Sequence, residues 1–184
     1  MALTKKQIGT VQGMLFGVIV ALGVIILGSW LNPLNFDESL GVNTQLRVAI
    51  GSSVLVCFFL LVSVMRLAKH RFFTPADIDG SGLTDGTAQA KLLQSLLQNT
   101  LEQAAIAVVV YLSWALLMPA TWLSVVPLAA ICFALGRILF FRGYTSGASS
   151  RAAGFALTFY PSAAMLLCVL VNVLDKTRLF LWAT

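Results

Sequence analysis

The chain has 184 residues, 59% of them hydrophobic and only 10% charged, with a formal net charge of +5. A soluble domain carries about 25% charged residues, so this inventory cannot clothe a water-facing surface and the chain reads as an integral membrane protein. The charges sit at the ends of apolar runs, as a bilayer requires, and no basic face is left over for nucleic acid.

Each crossing of a bilayer needs about 20 apolar residues in a helix. Runs at 11–31, 48–65, 104–118, 122–141 and 152–174 predict five such helices, the third extended backwards by a polar stretch. The first run follows Lys5 and Lys6 as a secretion signal would, but it is longer than a signal's apolar region and no small-x-small cleavage site closes it. It is read as a retained helix. Gly13, Gly17 and Ala21 recur along it every four residues, a ridge on which another helix can lie closely.

Lys5 and Lys6, then Arg66, Lys69 and Arg71, then Arg142 and Arg151 fall at one end of a five-helix arrangement. The positive-inside rule puts that end, and with it the N-terminus, in the cytoplasm. The other side receives 32–45 with Asp37 and Glu38, the turn at Pro119 to Thr121, and a mixed group of Asp175, Lys176 and Arg178. A bacterial inner membrane is the expected compartment. The hydrophilic stretch 72–89 is then a cytoplasmic loop. Asp77, Asp79 and Asp85 hint at calcium, but the closing glutamate of a helix–loop–helix site is missing, so the loop is expected to be solvated. Cys57, Cys132 and Cys168 lie singly in apolar runs beside a lone His70. They read as packed free thiols, with no metal site.

The polar stretch is Lys91, Gln94, Ser95, Gln98, Asn99 and Glu102, whose steps of three and four share one helix face that runs into an uncharged span. A carboxylate there must face protein or water, which makes it a candidate site residue. Arg137 lies inside the fourth span. Both it and Glu102 stand roughly 16 positions from the intervening turn, hence about 24 Å below it. A Glu102–Arg137 pair is expected, within one chain or across a subunit boundary. Two readings stay open: a structural lock of helix register, or an anion site in which Arg137, Arg142, Arg151 and the hydroxyls of 144–150 converge.

At these residues the chain resembles the MAPEG family (membrane-associated proteins in eicosanoid and glutathione metabolism). Asn99 with Glu102 three residues on resembles one helix signature. Gly136-Arg137, Tyr144, Arg151 and Pro161 resemble a second. The resemblance spans about 48–174 and implies an all-α membrane bundle: a four-helix unit over 46–184, with 1–45 added as a further transmembrane helix and outer loop. It implies a homotrimer that binds glutathione near the cytoplasmic face and acts on a lipophilic small molecule from the bilayer. Arg151 matches the residue that stabilises the thiolate, while Asn99, Glu102, Arg137 and Tyr144 match positions that line or brace the pocket. The implied activity is a glutathione transferase or peroxidase. Ser95, Gln98 and Phe140 depart from the pattern, where members carry basic residues or a polar-tipped ring. Those departures support an alternative, a non-catalytic scaffold or lipid-binding protein on the same fold. A small transporter is disfavoured, because a single span carries polar residues and no inverted repeat is visible.

Overall fold

A computed structural model describes residues 3–80 and 82–183, with side chains as far as Lys176; the side chain of Arg178 lies outside the described residues. The described residues form five long helices: α1 (Lys5–Ile26), α2 (Val42–Phe73), α3 (Ala88–Leu117), α4 (Val125–Gly143) and α5 (Ala148–Ala183). All five are long and apolar enough to cross a membrane. The protein is thus an all-α membrane bundle with an additional N-terminal helix, as the sequence leads one to expect.

Each helix end has a local cause. Thr4 caps α1, accepting from the Gln7 amide while the Gln7 side chain accepts from the Thr4 amide at 2.8 Å, which satisfies two otherwise orphaned donors. The far end unwinds through a π-turn at Leu27–Leu31 into Asn32, at φ 40°. There the Asn32 amide donates to the Phe36 carbonyl at 2.6 Å, and the Ser124 hydroxyl donates to Asn32 Oδ1 at 2.7 Å. The outer end of α1 is thereby tied to the start of α4.

The small-residue ridge of α1 does bury itself, and its partner is α5. A Cβ on Gly13 would stand 2.7 Å from that of Ala152, and one on Gly17 would collide with Ala156. Gly9 continues the ridge one turn earlier, against Ser149. Elsewhere α2 lies on α3 and α4 on α5, around a core of Val56, Tyr111, Trp114, Phe133 and Met165. The lipid-facing sides carry exposed leucines, isoleucines, valines and phenylalanines. Cys57 is exposed on such a side rather than packed, whereas Cys132 and Cys168 are half-buried.

The described residues of the 74–87 connection are exposed or half-buried, as a solvated loop would be, with Asp77 as the exception. Asp77 is 1% exposed. Its carboxylate accepts from the Thr87 amide at 2.7 Å and the Thr87 hydroxyl at 2.6 Å, and meets His70 Nε2 at 2.9 Å. Thr87 in turn caps α3 through the Ala90 amide. One aspartate therefore buckles the end of α2 to the start of α3. The two Thr87 hydrogen bonds, with help from His70, hold the Asp77 carboxyl below its ordinary 3.8, against the opposing effect of burial. A depressed native pKa stabilises the fold above the unfolded value and ceases to do so as pH falls through the native one. Amide-exchange protection at Thr87 and Ala90 is therefore expected to persist down to about pH 3.8 and to be lost below it. In Asp77→Ala the same amides exchange fast already at neutral pH.

Candidate functional site

Two arginines organise the end of the bundle where α3 and α5 begin, and the structure gives them different surroundings. Arg137 on α4 is fully buried. Gly136 and Gly154 make this possible, since a side chain on either would strike the opposite helix, so α4 and α5 touch backbone to backbone. Arg137 Nη1 then donates to Asn99 Oδ1 at 3.0 Å and Thr100 Oγ1 at 3.4 Å, and Nη2 donates to Thr158 Oγ1 at 2.6 Å. The two hydroxyls give their own protons to the carbonyls of Leu96 and Phe155, which leaves their lone pairs turned to the guanidinium. Phe140 lies beneath it at 4.5 Å and Phe133 at 5.6 Å, a cation–π arrangement that is worth more when desolvated. Arg137 Nε is buried without a partner among the described residues.

The expected Glu102–Arg137 pair does not form within the chain. Glu102 is exposed and accepts from Gln98 Nε2 at 2.9 Å. Counting residues from the turn matched the two in depth but ignored rotation. At about 100° per residue, Glu102 lies some 60° from Asn99 and 200° from Thr100, far enough round α3 that its side chain goes to the exposed side and to Gln98. The cage around Arg137 is built of uncharged oxygens.

Arg151 sits in the first turn of α5, after Gly147 at φ 103°, a backbone conformation that residues with a Cβ rarely adopt. Its guanidinium stacks 4.4 Å over the Tyr144 ring. Among the described residues it has neither a carboxylate nor a hydrogen-bond acceptor. It lines a cleft of about 530 Å³ whose wall also includes Asn99, Phe140, Tyr144, Phe155, Phe159 and Tyr160, closed on one side by Thr10 and Met14 of α1. This volume falls within the range of small-molecule sites. An unpaired cation, a phenol and an amide at one end, with aromatic rings over the rest, suit a small anion carrying an apolar appendage.

Of the residues singled out from the sequence, Asn99, Tyr144 and Arg151 meet in this cleft. Arg137 lies behind it and steadies Asn99, while Glu102 does not line it. The expected hydroxyl donors Thr145, Ser146, Ser149 and Ser150 are exposed and do not line the cleft. Ser95 and Gln98 are exposed on the outward face of α3, and Phe140 is buried against Arg137. Sequence reasoning missed Thr158, which had no charge or motif to mark it. It also missed Thr10 and Met14, because the partner of α1 was not legible.

Thr158→Val keeps the shape of the side chain but takes the acceptor from Arg137. A buried charged donor left in this way costs about 1–3 kcal/mol, measurable as a lowered midpoint of unfolding in detergent. Ser113→Ala, which removes only a hydroxyl bonded to its own helix at Val109, is expected to change the midpoint little.

The MAPEG family profile matches residues 48–171, from the first turns of α2 deep into α5. No curated protein and no solved structure matches the chain.

Proposed function

The chain belongs to the MAPEG family, and from that premise we propose that it is a membrane-bound glutathione-dependent transferase or peroxidase acting on lipophilic electrophiles. The observation that carries this reading is Arg151: a cation without a counter-ion among the described residues, in the first turn of a helix, inside a cleft with several aromatic rings. The donor set fits a thiolate or one carboxylate of the tripeptide. Arg151 holds the negative sulfur, Tyr144 and Asn99 offer the phenol and amide around it, and Arg137 holds Asn99 in place from behind. Bound there, glutathione supplies a sulfur nucleophile that yields its proton to solvent and bonds an electrophilic carbon as the leaving anion departs, or, two equivalents at a time, reduces a hydroperoxide to an alcohol and water while forming one disulfide.

The protein's part is electrostatic. A free thiol has a pKa of about 8.5, and a neighbouring guanidinium lowers it, so more of the reactive anion is present at pH 7. The aromatic half of the cleft takes the apolar co-substrate out of water and positions it against the sulfur.

Glu102 serves a neighbouring copy in this reading. With Gln98, Ser95 and Lys91 it forms a polar, exposed face on a helix that crosses the membrane, and such a face must be covered by protein or water. A homotrimer covers it, and can supply the further ionic groups that the tripeptide needs and one chain's cleft lacks. The shared end of Lys5, Arg66, Lys69, Arg142 and Arg151 is assigned to the cytoplasm by the positive-inside rule, in a bacterial inner membrane. Residues 1–45 are the addition and 46–184 the family unit.

A second reading has its own observation. Ser95, Gln98 and Phe140 bring no charge, and among the described residues Arg151 is the one cation lining the cleft, so a scaffold or lipid-binding protein that has lost its thiol peptide fits as well. Kinetics of the solubilised protein separate the two. Under the enzymatic reading, wild type conjugates glutathione to a lipophilic electrophile. Arg151→Ala then loses about ten- to a hundredfold in kcat/KM at pH 7, since each unit of thiol pKa is about tenfold in thiolate. The gap closes as pH rises past about 8.5, where the free thiol ionises unaided. Equal rates at pH 7 remove Arg151 from the chemistry, and a wild type with no thiol-dependent rate leaves the scaffold reading.

A further inference from the structure

The family match begins at residue 48, so α1 stands outside it, yet α1 builds part of the cleft. Thr10 and Met14 are four residues apart, on one face of the helix, and both line the cavity. The ridge of Gly9, Gly13 and Gly17 fixes them there, because it presses α1 onto Ser149, Ala152 and Ala156, the turns of α5 that flank Arg151 and lead to Phe159. Thr10 spends its hydroxyl on the Lys6 carbonyl at 2.9 Å. Met14 is 43% exposed, half in the cleft and half out, at its rim. An unbranched thioether in that place adapts its shape to what passes.

We infer that α1 is the wall of the site on its open side and that Met14 sets which apolar co-substrates reach Arg151. Resting on the glutathione reading, this assigns the polar end of the cleft, Asn99, Tyr144 and Arg151, to the thiol peptide. The groove between Met14 and Tyr160 receives the hydrocarbon part of the second substrate. The ligand class that fills both ends is a thiol peptide bearing an alkyl chain on its sulfur, which is also the product of conjugation.

The test uses the full chain in detergent, with a thiol installed by Met14→Cys and, in a second protein, by Leu15→Cys. Leu15 is at the same depth but is 58% exposed and does not line the cleft. Modification by a methanethiosulfonate reagent is followed at each position by peptide mass spectrometry, which leaves the native cysteines in place. S-hexylglutathione at about ten times its Kd, as measured by calorimetry, is expected to slow the reaction at position 14 about tenfold, by occupancy. S-methylglutathione is expected to slow it far less, and position 15 is expected to respond to neither. Binding of the hexyl conjugate with an undiminished rate at position 14, or equal protection by both conjugates, overturns the role of Met14 and leaves the glutathione reading standing. Saturable binding of neither conjugate overturns both.

Discussion

A guanidinium buried to the last atom in a membrane bundle must find its oxygens within the protein, and Arg137 finds them on both helices that flank its own. Asn99 and Thr100 come from α3 and Thr158 from α5, while the rings of Phe133 and Phe140 of α4 lie against the guanidinium. Three helices are thus held in one register by a single side chain. The acceptors are neutral, so no carboxylate is consumed, and the guanidinium lies directly behind the cleft. A close-packed contact of Gly136 with Gly154 is the precondition. It brings Thr158 into reach, and it aligns the end of α4 with the first turn of α5, where Arg151 emerges.

The two arginines divide the work by environment. Arg137 is enclosed and both its terminal nitrogens are bonded to α3 and α5, so it positions. Arg151 is half-exposed, stacked on Tyr144 and uncommitted, so it is available to a ligand. Among the described residues neither is paired to an acid. The contact of His70 with Asp77 fastens the 74–87 connection and has no part in the lining of the cleft. Glu102, the acid that the span contains, looks outward instead and is exposed.

Much of the fold was legible because a bilayer enforces length and apolarity run by run, and the five helices follow from that. The ridge on α1 was legible as well, since Gly13, Gly17 and Ala21 have the spacing of a buried face. Its partner was not, because α5 declares itself only by small residues scattered among large ones. The site was half legible. Asn99, Tyr144 and Arg151 carry chemistry in their side chains and are brought together. The Glu102–Arg137 pairing misled because depth along a helix can be counted from a turn, whereas rotation about the axis depends on how the helices pack. Thr158 and Met14 left no trace in the sequence, as an isolated threonine or methionine in an apolar run looks like any other. Asp77 was hidden for another reason: its partners His70 and Thr87 lie seven and ten residues away, in a glycine-rich stretch that reads as loop.

The most direct measurement is a thermal-shift titration of the solubilised protein with glutathione and, in parallel, with the analogue that carries a methyl group in place of the thiol. If the uncompensated charge of Arg151 holds a thiolate, glutathione raises the unfolding temperature more than the analogue does, and the difference disappears in Arg151→Ala. Equal shifts from the two peptides, or a difference that survives that substitution, contradict the assignment of the cleft to a thiolate.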